Sequence, residues 1–574
     1  MKTMRPARTF ALRPAVVVFW LAVGLGAGLG AGCGAGGSGA ARAESTPRAV
    51  AEGPFDLTLF HTNDIHGGFT ARPYESGGGS RTGGFAALAE HLARERASAA
   101  RWLLLDAGDF MTGNPVCELT VAGVPGGAMA AMMGAAGYHA GVIGNHEFDL
   151  GRDALEALVS AFSFPLLAAD LVDAAGRTSA PGLRGPLVLE RDGLRIGMMG
   201  ISYASLPAIV AQSRLAGIES RDQTARVREQ LADLVGRTDV QVLISHNGVD
   251  PDRALARELA ADGLDVIVGG HSHTRLEEPV VEAGVVIVQA GSGLRHLGRL
   301  DLRLADGRVT HYRGRLVLLD GEGGARAATQ GGAVAGADAD LDAPLLVRDL
   351  VAHYESTVAS VYGQVIGRLT TDLRRHSRQE SALGSWLCDI LRAHAGADVA
   401  VYNSGGIRKH LTTGPVTKLD IFEVLPFGNS LVVHRLPGSS LRAILLANAQ
   451  AAETGAYGIL QVSGVEYRYR AENETRAGGG DPRAGGRKAR ANGAAVELIS
   501  VTVGGQPLRD GHIYTVAMPD YLSGMGDVYL GGVALDTPLE TGERITDIVI
   551  AAVEKIGGVI KPPRMGRIEN VGGK

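Results

Sequence analysis

The sequence is poor in cysteine, in excess charge and in long apolar runs. It holds only three cysteines in 574 residues: Cys33, Cys117 and Cys388. That scatter excludes a cluster of thiolate metal ligands. Cys117 and Cys388 stand beside different motifs, so both read as small buried residues rather than a disulfide pair, although export would permit one. The formal net charge is −5, which excludes a general affinity for nucleic acid polymers. Past the N-terminal segment no run is long and apolar enough to span a bilayer. No internal repeat is found. What remains is ordinary for a globular chain: 45% hydrophobic and 20% charged residues, with length for more than one domain. The abundant Ala, Gly and Arg reflect a base-composition bias and say little about fold.

Residues 1–43 read as a targeting leader. Lys2, Arg5, Arg8 and Arg13 form a basic n-region, and 15–31 is an apolar h-region. Ala41-Arg42-Ala43 offers a small-x-small cleavage site before Glu44. Lipidation at Cys33 is a second route, as in bacterial lipoproteins, although Gly30 stands where a lipobox has Leu. Both routes predict an exported protein, periplasmic or at the cell surface. The Cys33 route adds a lipid anchor to the membrane.

Apolar, β-rich runs at 57–62, 102–105, 140–143, 194–201, 240–244 and 264–268 predict strands. Between them, helical spacing of Phe85, Leu88, Ala89 and Leu92 predicts a helix over 83–99, and another is expected over 126–136. Strands alternating with helices give α/β layers. The first domain is expected over 55–320. Residues 321–343 form a linker, since their Gly, Ala and Asp show no apolar period. A connecting helix over 344–362 leads to a second, smaller α/β domain at 363–570. There, Leu383, Leu387 and Leu391 predict a helix over 381–394, and strands fall at 399–402 and 514–517. The Gly/Arg-rich stretch 471–494 reads as a surface loop whose basic residues are solvated.

Chemistry gathers where the first-half strands end. Asp64 and His66 follow the first run, Asp109 the second, and Gly144-Asn145-His146-Glu147-Phe148-Asp149 the third. His246 follows the run at 240–244, and His271 and His273 follow that at 264–268. Loops at the carboxyl ends of strands are where open α/β sheets place their sites. Taken singly, a strand-end His is more often a satisfied polar residue than a ligand, and Asp109 or Asp149 could cap a helix. Five clusters in the same structural position outweigh that reading. Imidazole and carboxylate suit zinc, manganese or iron rather than calcium. A carboxylate such as Asp109 can serve two cations at once, and paired cations clamp the oxygens of an in-line displacement at phosphorus. His146 is then a spare imidazole for charge stabilisation or leaving-group protonation. Asp149 is placed to orient its ring.

In the second half no metal-type cluster occurs. A Gly-rich turn ends in a cation (Gly405, Gly406, Arg408), and Phe427 and Tyr521 offer flat faces. Two aromatics can sandwich a base, and Asp527 can accept from ribose hydroxyls. Alternatively, the aromatics are core residues and the glycines only shape turns.

The set Asp64-x-His66, Gly108-Asp109, Gly144-Asn145-His146-Glu147, Ser245-His246 and Gly270-His271-Ser272-His273 resembles the calcineurin-like metallophosphoesterases, in that order. The spellings at 61–67 and 144–149 look like the exported 5′-nucleotidase and UDP-sugar hydrolase branch. The resemblance continues through Asn403-Ser404-Gly405-Gly406-Ile407-Arg408, Leu425-Pro426-Phe427-Gly428 and Tyr521-Leu522-Ser523-Gly524-Met525-Gly526-Asp527. It implies a layered α/β/β/α sandwich followed by a smaller α/β nucleotide-binding domain. It also implies two divalent metal ions, Zn, Mn or similar. One would be held by Asp64, His66, Asp109 and His273, the other by Asp109, Asn145, His246 and His271. Catalytic roles for His146 and Asp149 follow, as do base stacking between Phe427 and Tyr521, ribose contact by Asp527, and substrate contacts by Asn403 and Arg408. His273 stands where this branch often has Gln or Asn. Ser377 stands where the family has an Arg, which leaves Arg378 or Arg375 as the replacement; Arg378 is the expected contact. The implied activity is removal of the 5′-phosphate from extracytoplasmic nucleotides, with the domains moving relative to each other about the 344–362 helix. A 2′,3′-cyclic-nucleotide phosphodiesterase and a UDP-sugar pyrophosphatase share such a centre. A sulfur-ester hydrolase would leave the second domain idle. A catalytically silent surface binding protein would be favoured by a missing ligand, and none is missing.

Overall fold

The computed structural model describes residues 48–572 apart from 50–55, 74–80, 174, 177–181, 211, 306, 321–341, 456–457, 473–494 and 525–528. The expected leader, its Cys33, most of the expected linker and the Gly/Arg-rich loop lie outside the described residues, as does Asp527.

Two sheets form the centre of the first half. Strand Leu57–Thr62 lies parallel to Trp102–Asp106, which lies parallel to Ala140–Val142. The long hairpin His296–Ala305 and Arg308–Leu318 completes this sheet on the other side. The second sheet runs Leu194–Ile201, Val240–Ser245, Val266–Gly269 and Val285–Val288, all parallel, with antiparallel strands at both edges. Side chains alternate across each strand, and the alternation sorts the layers. Leu57, Leu59, Leu103 and Leu105 meet Val240, Val242, Ile244, Val266 and Val268 in a core between the sheets. Phe60 and Leu104 point the other way, into a core shared with helices Phe85–Arg96 and Gly127–Ala136. Leu243 and Ile267 face helices Gln223–Leu234 and Val249–Leu259 on the far side. Burial on both faces explains why these strands are continuous apolar runs. The layering is α/β/β/α, as the motifs implied.

The helix Asp342–Tyr362 does not stand free between halves. Val347, Val351, Tyr354 and Val358 are buried in the core of the first half, against helices Phe85–Arg96 and Gly127–Ala136. Beyond it, a five-stranded sheet ordered Leu460–Ser463, Val399–Asn403, Ile513–Pro519, Ser430–Pro437 and Leu539–Arg544 organises the second half. Ala400 and Tyr402 pack on helices Ala382–Ala395 and Ile545–Ile556, while Val399 and Val401 pack on Gly438–Thr454. Ser381 caps the first of these helices by accepting from the Gly384 N–H, and Gly396 ends it in a left-handed turn. Cys117 and Cys388 are buried free thiols. Among the described residues no helix is long and apolar enough to cross a membrane.

Candidate metal centre and adjoining cleft

The first-half strands finish level with one another. Thr62 pairs with Asp106, Asp106 with Gly141, and Ser245 with Gly269. The loops that follow therefore emerge at one rim. Backbone hydrogen bonds tie them together: the Asp64 N–H donates to Gly108 O at 2.8 Å, and the His66 N–H to Asp109 O at 2.9 Å. Asp64, His66, Asp109, His271 and His273 all have positive φ, between 47° and 70°. Non-glycine residues enter that region at a cost and persist there only when the surroundings hold them. Tight turns at the rim bring short loops back over the strand ends.

The side chains converge. Suitable ligand atoms of Asp64, His66 and His273 lie within 4.8 Å of one another, as do those of Asp109, His246 and His271 and those of His66, Asp109 and His146. Asn145 joins the second group through its Oδ1, 3.1 Å from His271 Nδ1. Asp64, Asp109, Asn145 and His246 are all buried. Three observations fit this pocket to cations. His246 donates Nδ1–H to Ala107 O at 2.6 Å, which aims Nε2, buried and without a hydrogen bond, at Asp109 Oδ2 3.1 Å away. The Nε2 atoms of His66 and His273 face each other at 3.0 Å, with Asp64 Oδ1 3.3 Å from the latter. Nitrogen and carboxylate donors in such numbers are the chemistry of a transition-metal site. Burial opposes the charge on Asp109, but His246 and His146 outweigh it and hold the carboxyl well below its ordinary range.

His146 sits beside this cluster. Its Nδ1 lies 2.8 Å from Asp149 Oδ2, and its backbone N–H donates to Asp109 Oδ1 at 2.9 Å. Burial disfavours the imidazolium, yet Asp149 and Asp109 prevail and carry the pKa up to about 9. Asp149 also accepts from Thr112 Oγ1 at 2.6 Å.

Two residues to which the sequence argument gave no role hold the arrangement. Glu147 is buried, and its carboxylate accepts the backbone N–H groups of Asp109, Met111 and Gly144 at 3.0, 3.0 and 2.6 Å. Burial, with Asp109 adding to it, raises its pKa to about 7. Arg214 contacts Asp149 Oδ1 at 3.5 Å and reaches across to the second half, donating to Gly428 O and to Ser430 Oγ at 3.0 Å, with Asp520 Oδ2 at 3.5 Å. Glu147 stands inside a motif that could have flagged it. Nothing local marks Arg214, because its partners come from distant segments.

A cleft of about 580 Å³ opens from this rim into the second half, within the ~300–1,000 Å³ usual for small-molecule sites. Asn145, His146, Asp149 and His271 line one end, and Asn403, Arg408, Phe427 and Tyr521 line it further on. The Phe427 ring lies 5.8 Å from His146 at 25°, with the Arg408 guanidinium carbon 5.8 Å from its centre. Asn403 is buried, and its Oδ1 has no hydrogen-bond partner. Arg378 is not brought in. It is exposed, and its guanidinium lies against Gly455, where a Cβ would meet it at 2.6 Å. Arg375 lies nearer, donating to Ile407 O at 2.8 Å and set against Arg408.

Family models match both halves: calcineurin-like phosphoesterase over residues 57–275 and 5′-nucleotidase, C-terminal domain, over 361–531. A 5′-nucleotidase of Diplobatis ommata is 26% identical over 566 residues, covering 90% of each chain. A 5′-nucleotidase of Vibrio cholerae is 26% identical over 519 residues, 83% of this chain and 86% of its own. The crystal structure of a 5′-nucleotidase precursor from Thermus thermophilus superposes with a TM-score of 0.66 at 26% identity, covering 90% of this chain and all of the other. The chain thus joins a calcineurin-like phosphoesterase domain to a 5′-nucleotidase C-terminal domain, with 5′-nucleotidases among its relatives in both sequence and structure.

Proposed function

We propose that this chain is an exported, dinuclear-metal nucleotide phosphohydrolase that removes the 5′-phosphate of nucleoside monophosphates. The observation that carries the reading is the continuous cleft joining His146 and the metal-type donors to Phe427 and Tyr521. Asp64, His66, Asp109 and His273 would hold one cation, and Asp109, Asn145, His246 and His271 the other. Bound there, divalent cations supply Lewis acidity, stabilising charge on phosphoryl oxygens and lowering the pKa of water. The residues do the rest. Asp149 fixes the His146 ring through Nδ1, which turns Nε2 toward the substrate and holds a proton ready for the leaving ribose oxygen. The base lies against the aromatic faces of Phe427 and Tyr521. Asn403 Oδ1, buried and unpaired, takes a donor from the nucleoside, and Arg408 meets negative charge. Asp527 is assigned to the ribose from its motif alone, and the domain limits 55–320 and 363–570, the linker 321–343 and the leader 1–43 belong to the same proposal.

The test is a hydrolysis panel of AMP, 2′,3′-cyclic AMP and UDP-glucose with manganese or zinc added after chelation. AMP is expected to release phosphate fastest, and His146→Ala to cut kcat by at least about a hundredfold, the low end for a lost general acid. No phosphate from AMP under any metal, or full activity in His146→Ala, would overturn the reading.

A further inference from the structure

One buried histidine takes no part in the reaction above. His434 lies on strand Ser430–Pro437 and is 0% exposed. Its Nδ1 is 2.9 Å from Asp536 Oδ1, and its Nε2 is 2.9 Å from Ser523 Oγ. Ser523 lines the cleft, two residues after Tyr521 on the short helix Asp520–Gly524, with Val432, Tyr529 and Pro538 also in that wall. An ionised carboxylate can only accept, so Nδ1 carries the ring proton. With that as the ring's only proton, Nε2 has a lone pair and no hydrogen. Ser523 then donates its one hydroxyl proton to Nε2, 2.9 Å away. What it has left for the cleft is lone pairs.

We propose that Ser523 determines base specificity: locked as a hydrogen-bond acceptor by His434 and Asp536, it favours nucleobases that present an amino group over those that present a carbonyl. This deepens the nucleotide reading above and rests on it. A free serine hydroxyl rotates to serve donors and acceptors alike. The relay removes that freedom. An exocyclic amine facing Ser523 makes a hydrogen bond, whereas a carbonyl there sets lone pairs against lone pairs. Sites built to hydrogen-bond one substrate group reject the analogue that lacks it, because their own polar atom is then left unpaired. Adenine and cytosine carry the amino group; hypoxanthine and uracil carry oxygen at the corresponding position. The relay acts on the base, not on the phosphate, which all nucleotides share.

Binding of adenosine, inosine, cytidine and uridine to the full-length, metal-loaded protein is measured by calorimetry. The kcat/KM values of AMP, IMP, CMP and UMP are measured beside it. The wild type is expected to prefer adenosine to inosine and cytidine to uridine by about tenfold, the worth of one well-made hydrogen bond. In Ser523→Ala both ratios fall to within about twofold. His434→Leu, which frees the hydroxyl to rotate, lowers the same two ratios. A wild type without these preferences, or a Ser523→Ala variant that keeps them, overturns the proposal while leaving the nucleotide reading intact. Failure of all four nucleosides to bind would instead overturn the nucleotide reading, and this proposal with it.

Discussion

Gly144 shows how little room the rim leaves. A Cβ built on it would lie 2.2 Å from Asp109 Oδ1 and 2.7 Å from His246 Nε2. Neither neighbour can yield, since Asp109 accepts from the His146 N–H and His246 is anchored to Ala107 O. Gly144→Ala is therefore expected to keep the fold by circular dichroism and to lose bound metal by elemental analysis; retention of the full metal content would refute the geometry. Glu147 makes the complementary case. Both its oxygens accept from backbone N–H groups, so Glu147→Gln must turn an amide NH₂ toward at least one of them. A buried donor left unpaired costs ~1–3 kcal/mol, and that loss should appear in urea unfolding together with weaker metal affinity.

Arg214 belongs to the scale of elements. It stands on the four-residue helix Gln212–Leu215 and joins the His146–Asp149 pair to the loop that carries Phe427. A guanidinium can serve several acceptors from one plane, which an ammonium cannot. Arg214→Gln is expected to lower kcat for AMP about tenfold and to raise KM, since both ends of the cleft lose a support; Arg214→Lys should recover part of KM only. Unchanged kinetics in both variants would make these contacts incidental. The same residue marks where the sequence stops being readable. Strands and their polar endings are local patterns, an apolar run followed by Asp, His or Asn, so α/β layers and the candidates from Asp64 to His273 could be read directly, while the α/β/β/α order came only from the family resemblance. The helix 344–362 was legible as a helix, but its docking on the first half was not, because its partners lie some two hundred residues upstream. Arg214 and the His434 relay depend on pairings across 65 to 216 positions, with no periodic signature. Ser377 shows the opposite limit: the motif announced a missing Arg, yet only the fold separates exposed Arg378 from Arg375 beside Arg408.

For the whole molecule, the rim is where side chains that could hold metal ions bring the two sheets together. Its donors come from five loops and from both sheets: Asp64, Asp109 and Asn145 from one, His246 and His271 from the other. Buried Asp109 has its charge balanced by His246 and His146, while buried Asp64 accepts from the His271 N–H and the Asn63 amide. Ligands that bind only the folded state stabilise it by RT ln(1 + [L]/Kd), about 2.7 kcal/mol at a hundredfold excess over Kd. Chelation should therefore lower the unfolding temperature, and restored manganese or zinc should raise it in a concentration-dependent way. The effect should be specific to the first half. Asp109→Asn ought to abolish most of the metal-dependent rise in differential scanning calorimetry, because that carboxylate is the donor shared by both proposed sets. Phe427→Ala, which touches no donor, should keep it. A metal-dependent rise that survives in Asp109→Asn would place the stabilising ion somewhere other than between the two sheets.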